Sequence, residues 1–324
     1  MARLLKYLLV ALALWASSAS ASSTLRPLFS KRGSYGESFT FIADLGADGY
    51  VQLSIGVTNL GPGPTKGLCR AIVSRPQVSP WRASTRVARD AVNWVDGNEE
   101  RLTVGSCSTW IDSSRTGAEV HLDGGTIRLT FKERALPRFP HNEVIPIGGE
   151  RYQTQILLYR TPVDAELSLP GQPAHTASGQ GYCDHTRSTV KPKNLAKSWI
   201  RFRALRGRRG LIVLGRQGFD DQFAPLWACQ DTTHCRDYQS FRIEREKTEG
   251  SPRFRIQVQA ATQDGIDIRS GQPLYRDAPL EDLGLVGKLA KPFVGSNVTY
   301  VYRGSATIGT GSPIEGVLEV EMAE

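Results

Sequence analysis

Apolar and polar residues alternate with a period of two along much of this 324-residue chain. Side chains on a β-strand point to opposite faces in turn, so each such run predicts a half-buried strand. The clearest runs cover residues 51–57, 127–131, 254–258 and 318–322. Turn-forming Gly, Asp and Asn residues separate the runs. Many short strands separated by turns predict an all-β protein built from barrels or sandwiches. The exception is residues 277–290, which could form one short helix.

The chain has a natural point of division near its middle. Its length suggests one large β domain or two ordinary ones. The segment Leu169-Pro170-Gly171-Gln172-Pro173 has the composition of a connection between two halves. We therefore predict an N-terminal domain over residues 22–169 and a C-terminal domain over residues 170–324.

The first residues have the form of a secretory signal peptide. Arg3 and Lys6 precede an apolar run over residues 7–15, which is too short to span a bilayer. Ala19-Ser20-Ala21 then forms an A-x-A cleavage site. The alternatives are an uncleaved anchor and a buried helix. Cleavage would give a secreted or periplasmic protein that begins at Ser22, and no later stretch is long and apolar enough to cross a membrane.

Five cysteines fit an exported protein, because disulfides persist outside the cytoplasm. Cys229 and Cys235 flank a short polar loop and form a plausible local bridge. Cys69 and Cys107 could then pair within the first half, which leaves Cys183 over. Zinc is a weaker interpretation, because the sequence lacks paired CxxC spacings. We expect no metal site and no metal or nucleotide cofactor.

The chain is basic, with a formal charge of +8. Two of those charges, Arg3 and Lys6, leave with the predicted signal peptide, so the mature charge is +6. A basic surface could attract an anionic partner. The densest cluster contains Arg201, Arg203, Arg206, Arg208 and Arg209, and it could equally be a solvated strand and turn. No nucleic-acid-binding motif is found, so we expect no nucleic-acid partner.

One segment carries candidate chemistry. Gly179-Gln180-Gly181-Tyr182-Cys183-Asp184-His185 precedes a strand that begins Trp199-Ile200-Arg201. Asp184 could orient His185 and raise its basicity for proton transfer, so this pair is the candidate catalytic pair. Tyr182, Trp199 and Arg201 are the candidate ligand-binding residues, since Trp199 and Arg201 share one strand face. The alternative is structural: Asp184 and His185 would brace the domain junction through hydrogen bonds.

The same segment resembles a known family. The Gly-x-Gly-Tyr-x-Asp-His stretch, followed by Trp199-Ile200-Arg201-Phe202, is similar to the AttH, carotenoid 1,2-hydratase and survival-factor family. Residues 37–41 and 49–53 are similar to its opening strands, and the resemblance spans residues 35–320. It implies two tandem lipocalin-like antiparallel β-barrels with a ligand cavity in or between them. Members include hydratases of isoprenoid double bonds and fungal cyclases of polyenes.

Three hypotheses on function follow. The first is an exported protein that binds a hydrophobic small molecule such as a lipid, isoprenoid or polyene. The second is a hydratase, isomerase or cyclase that uses Asp184 and His185 on an isoprenoid or polyene. The sequence lacks a hydratase-type histidine cluster, which weakens the case for carotenoid hydration itself. The third is a non-enzymatic envelope protein whose basic cluster meets anionic partners.

We predict that the mature protein begins at Ser22, because small residues occupy the −3 and −1 positions before that bond. N-terminal sequencing of protein purified from its own host measures this directly. Met1 retained in that protein would contradict the prediction.

Overall fold

The protein is described here from a computed structural model. The model describes residues 24–60, 63–138, 144–231, 234–262, 264–278 and 297–323. Within them the chain is nearly all β, with one four-residue α-helix, α1 (Pro192–Leu195). Two short 3₁₀ turns, Gly46–Asp48 and Arg89–Ala91, follow strands of the first half. The predicted helix at 277–290 lies almost wholly outside the described residues, and so does the predicted signal peptide.

Strands of the first half form one antiparallel sheet that curves into a nearly closed barrel. Its order is β4-β3-β2-β1-β12-β11-β9-β8-β7-β6-β5, and β10 pairs with β11 at one side. The strands are β1 (Gly36–Asp44), β2 (Tyr50–Thr58), β3 (Lys66–Ser74), β4 (Trp81–Ala88), β5 (Val92–Val95), β6 (Glu100–Val104), β7 (Cys107–Ile111), β8 (Thr116–Leu122), β9 (Gly125–Phe131), β10 (Val144–Ile147), β11 (Glu150–Ser168) and β12 (His175–Ser188).

Strands of the second half form a nine-stranded antiparallel sheet shaped as a half-barrel. Its order is β16-β15-β14-β13-β21-β20-β19-β18-β17. The strands are β13 (Ser198–Ala204), β14 (Leu211–Gln217), β15 (Phe223–Cys229), β16 (Cys235–Asp237), β17 (Ser240–Glu246), β18 (Arg253–Gln259), β19 (Ile266–Asp277), β20 (Asn297–Ile308) and β21 (Ile314–Ala323).

Each sheet encloses its own hydrophobic core. The apolar positions of the period-two runs 51–57 and 127–131 lie inside the first barrel. Those of 254–258 and 318–320 lie inside the second. Burying a large aliphatic or aromatic side chain contributes about 1.5–3 kcal/mol, so the alternation fixes which face of each strand turns inward. The predicted all-β fold of two lipocalin-like barrels is confirmed.

The sheets divide later in the chain than the sequence suggests. β12 lies after the predicted boundary near residue 170, yet it hydrogen-bonds to both β1 and β11 of the first sheet. The first sheet therefore extends to Ser188, and the second begins at Ser198. The Pro- and Gly-rich segment at 169–173 is the hairpin turn between β11 and β12, because Pro and Gly favour tight turns as much as domain linkers.

A third core joins the two sheets. Outward-facing side chains of β1, β2, β11 and β12 pack against β13, β14 and β15. Polar contacts cross the same junction: Tyr275 donates a hydrogen bond to Gln52 at 2.8 Å, and Arg303 pairs with Asp44 at 2.6 Å. Both faces of these strands are thus buried. Functional side chains in this junction are held away from bulk water.

The structure contains both disulfides that the sequence suggests. Cys69–Cys107 joins β3 to β7 inside the first barrel, and Cys229–Cys235 joins neighbouring strands β15 and β16. Cys183 is a buried free thiol. None of the helices in the described ranges has the length and apolar character required to traverse a bilayer.

Removing the Cys69–Cys107 bridge should destabilise the protein more than removing Cys229–Cys235. The bridges close sequence separations of 38 and 6 residues, so the longer one restricts the unfolded chain by about 1.5 kcal/mol more. Urea unfolding of Cys69→Ala/Cys107→Ala and of Cys229→Ala/Cys235→Ala compares them. A larger loss of unfolding free energy in Cys229→Ala/Cys235→Ala would contradict this prediction.

Candidate functional site

Strand β12 separates the two members of the predicted catalytic pair. Successive side chains on a strand point to opposite faces. Cys183 accordingly belongs to the core of the first barrel, and His185 stacks on Phe39 of that barrel with ring centroids 4.1 Å apart. Tyr182 and Asp184 face the other way, towards the second sheet. Asp184 and His185 therefore belong to two different environments.

Asp184 lines a cavity of about 200 Å³ between the two sheets. The first sheet contributes a mostly polar wall, and the second contributes apolar residues together with two arginines and a glutamate. The lining residues are Ser38, Thr40, Gln52, Thr154, Ile156, Tyr182, Asp184, Thr186, Arg201, Arg203, Ile212, Val213, Leu214, Trp227 and Glu319. The cavity thus combines an apolar surface with a compact group of charges.

The charged group is built around Glu319 on β21. Its carboxylate accepts from Arg201 at 2.5 Å and from Arg203 at 3.0 Å, both on the neighbouring strand β13. The Arg203 guanidinium also lies 4.8 Å from the ring centre of Tyr182 and 3.9 Å from a carboxylate oxygen of Asp184. Arg203, with a side chain only 4% exposed, therefore links the charge of the second sheet to the first.

The environment separates the proton affinities of the two carboxyl groups. Burial raises the pKa of Asp184, although the guanidiniums of Arg203 and Arg201 oppose this. Burial also acts to raise the pKa of Glu319, but there the two arginines outweigh it and the pKa is lowered. Burial raises the pKa of Tyr182 well above its usual value. One carboxyl group is thus biased towards the acid and the other towards the carboxylate, the pattern of an acid–base pair.

His185 belongs to a buried network at the first barrel. Its Nε2 lies 2.8 Å from Oε1 of Glu37, and Arg187 donates to the same oxygen at 2.8 Å. Tyr35 donates to Oε2 of Glu37 at 2.5 Å. Burial would raise the pKa of Glu37, but these donors lower it to about 2. The ionised carboxylate only accepts, so Nε2 of His185 carries the proton. Burial lowers the pKa of His185, which favours the neutral ring.

The glycines of the motif serve barrel packing. A side chain at Gly179 would approach the carbonyl oxygen of Asp44 to 2.2 Å, and one at Gly181 would meet the Phe131 ring at 2.3 Å. Neither distance is physically accessible to a Cβ atom, so the bulged, closely packed strands at this point require glycine. These two residues shape the strand that presents Tyr182 and Asp184.

The structure brings together some of the candidate site residues and not others. Tyr182, Asp184 and Arg201 line the cavity. Trp199 lies outside its lining: the ring is 2% exposed and packs between Tyr152 and the Arg201 guanidinium. His185 faces the first barrel. Trp199 therefore supports the site through Arg201, while His185 is held in the Glu37 network.

Sequence reasoning missed two residues of the site, Arg203 and Glu319. Arg203 belonged to a basic cluster and Glu319 to the polar side of a half-buried strand. The signal for both was the uninterrupted apolar run Leu211-Ile212-Val213-Leu214, which is typical of a strand buried on both faces. Arg203 lies on β13, which pairs with this strand, and Glu319 lies on β21, which pairs with β13. Charged residues buried in such a position are almost always paired.

The basic cluster is divided by the fold. Arg201 and Arg203 turn into the junction and pair with Glu319. Arg206, Arg208 and Arg209 remain exposed on the connection between β13 and β14. The five arginines thus form no continuous surface patch. In the part of the chain that the structure describes, no group of three His, Cys, Asp or Glu residues could hold a metal ion.

Comparison with known proteins identifies the fold. No protein-family model and no curated protein matches the sequence. Solved structures do match. A candidate AttH protein from Nitrosomonas europaea superposes with a TM-score of 0.58 at 12% identity, over 90% of this chain and 92% of that one. The chain has the fold of the AttH-type lipocalin-like proteins.

Two further structures share this AttH-type fold. CghA with Sch210972 gives a TM-score of 0.58 at 12% identity, over 90% of this chain and 89% of that one. Kievitone hydratase from Nectria haematococca gives a TM-score of 0.55 at 11% identity, over 90% of this chain and 88% of that one. The likeness covers nearly the whole length of each partner. At these identities it establishes the fold that the sequence resemblance implies.

The different surroundings of Asp184 and His185 predict opposite effects on stability. His185→Ala removes a buried partner of Glu37 and should cost about 1–3 kcal/mol. Because burial raises the pKa of Asp184, its ionised form destabilises the fold above its unfolded pKa. Asp184→Asn, which has the same shape without the charge, should therefore leave stability at neutral pH unchanged or raise it.

Urea unfolding of both variants at neutral pH measures the difference, and crystal structures of the two variants show whether the cavity is preserved. A large loss of stability in Asp184→Asn would show that Asp184 is a structural brace. If His185→Ala is as stable as the wild type, the Glu37 network does not stabilise the first barrel.

Proposed function

We propose that the protein is exported and binds one small molecule, with an apolar body and a polar end, in the cavity between the two barrels. The observation that carries this proposal is the charged group of Arg201, Arg203, Glu319 and Asp184, which is largely buried in the junction. Taking ions out of water costs several kcal/mol each, and hydrophobic replacements of a buried ion pair are often as stable. Such a group is better explained by binding or chemistry than by stability.

The cavity walls suggest how a ligand would lie. Ile156, Ile212, Leu214 and Trp227 offer apolar contacts, and Asp184 with the two arginines would hold the polar end. Ligand sites in proteins commonly combine an apolar lining with a few placed polar groups. The interior of each barrel, in contrast, is filled by its own core side chains. The junction is therefore the favoured place for a hydrophobic small molecule such as a lipid, isoprenoid or polyene. At about 200 Å³ the cavity is smaller than the usual range of about 300–1,000 Å³, so it would enclose the polar end of such a molecule and the adjoining part of its apolar body.

The alternative is an enzyme of the hydratase, isomerase or cyclase type. Asp184, whose pKa is raised, would donate a proton to an apolar substrate. Glu319, whose pKa is lowered, would act as the paired base. One structural neighbour is named a hydratase, which favours this chemistry over other enzyme classes. The ring of His185 faces the first barrel, so His185 would contribute to catalysis only indirectly, by holding β12 and therefore Asp184 in position.

Export is supported by the two disulfides, which persist in oxidising compartments. Together with the signal-peptide pattern of residues 1–21, they favour a secreted or periplasmic location. The divided basic cluster weakens the hypothesis of a non-enzymatic envelope protein that presents five arginines as one surface.

Ligand binding should be blocked by filling the cavity. Thr40→Phe places a ring in the cavity from β1, whereas Thr103→Phe places the same ring on β6, away from it. Trp227 lines the cavity, so tryptophan fluorescence reports occupancy during titration with a panel of lipids, isoprenoids and polyenes. We expect Thr40→Phe to weaken binding at least about tenfold and Thr103→Phe to bind like the wild type.

Two results would contradict the proposal. The first is a folded wild-type protein that shows no fluorescence change with any compound of the panel. The second is equal loss of binding in Thr40→Phe and Thr103→Phe. If a bound compound is also converted, Asp184→Asn should abolish turnover by about 10²–10⁴-fold while keeping affinity. Binding without conversion favours the carrier over the enzyme.

A further inference from the structure

A second concave site lies at the outer edge of the junction. It is a groove of about 610 Å³ between the two sheets. The turn at residues 46–49, the β3–β4 connection at residues 75–80 and residues 272–276 of β19 form its walls. We call it the arginine groove. Its volume falls within the range of about 300–1,000 Å³ that small-molecule sites occupy.

Four arginines line the arginine groove: Arg75, Arg82, Arg276 and Arg303. The described residues contribute no carboxylate to its lining. Asp44, just beyond the groove, neutralises Arg303 at 2.6 Å. The lining of the groove is therefore positively charged, with no carboxylate of its own among the described residues.

The acceptors that the described residues offer to Arg75 and Arg82 are uncharged. Arg75 donates to the side-chain oxygen of Gln172 at 3.0 Å, and Arg82 donates to the backbone carbonyl of Arg276. Among the described residues no carboxylate lies within ion-pair distance of either one. Both guanidiniums line the same groove, so an anion bound there would offset positive charge that no carboxylate of the described residues neutralises.

The arginine groove is separate from the cavity between the barrels. Tyr275 lines the groove and donates a hydrogen bond to Gln52, which lines the cavity. The buried Tyr275 side chain thus stands between the two spaces. An occupant of the groove would meet neither Asp184 nor Glu319.

We propose that the arginine groove binds a phosphate group. A guanidinium presents its donors as a planar fork that matches phosphate oxygens. Phosphate offers three acceptor oxygens and up to two charges on one centre, so it suits a groove lined by several arginines better than a single carboxylate does. The phosphate could belong to a soluble phosphate compound or to a lipid headgroup. The proposal is independent of the function proposed for the cavity.

Calorimetric titration with inorganic pyrophosphate at low ionic strength tests the soluble source. Arg75→Ala/Arg82→Ala removes two groove arginines. Arg86→Ala/Arg208→Ala is the matched control, because it removes the same charge at exposed positions outside the groove, and Arg86 shares a face of β4 with Arg82. We expect the groove variant to lose at least about tenfold in affinity and the control to retain the wild-type value.

Vesicles test the lipid source. Sedimentation with phosphatidylglycerol vesicles, compared with phosphatidylcholine vesicles, would show selective binding that the groove variant loses and the control keeps. Thermal melting checks that both variants fold, and Arg75→Gln/Arg82→Gln replaces the alanine variant if that one unfolds. Absence of binding to both pyrophosphate and phosphatidylglycerol would overturn the proposal. Equal loss in the groove and control variants would overturn it as well, because it would indicate diffuse surface charge.

Discussion

The burial of Arg203 between the two barrels is the constraint on which the site depends. Its guanidinium cannot remain unpaired in the junction, so Glu319 on the adjacent strand neutralises it at 3.0 Å. The same guanidinium lies over the Tyr182 ring and near Asp184, both on the other sheet. Positioning of the cavity side chains therefore requires that the two barrels stay docked, and residues of both sheets form one site.

The alternation of side chains along β12 assigns two roles to two neighbouring residues. Asp184 faces the cavity, where burial raises its pKa. His185 faces the first barrel, where Glu37, itself beside Arg187 and Tyr35, holds the ring. A catalytic pair of adjacent residues would need both side chains on one face. The chemistry available to the cavity is thus that of Asp184, Glu319 and the two arginines, with His185 contributing to the stability of the strand.

Much of the fold follows from sequence, because a strand buried on one face alternates visibly. The disulfides and the shared face of Trp199 and Arg201 could also be predicted from the sequence. The junction could not be predicted, because its strands are buried on both faces and their charged residues resemble solvent-facing ones in the sequence. Glu319 is an example: it alternates with Leu318 and Val320 as a solvent-facing residue would, yet it is only 8% exposed. Glu37, a charge among the inward-facing positions of β1, was the one visible sign of the His185 network.

Native mass spectrometry of protein purified from its own host tests most directly whether the junction is a ligand site. Wild-type protein should carry a small molecule that dissociates on activation in the spectrometer. Ile212→Trp, which fills the cavity from β14, should be folded and carry no bound molecule. A molecule of the same mass retained by Ile212→Trp would place the ligand elsewhere. A wild-type protein that is empty in every preparation would contradict the assignment of the cavity as a ligand site.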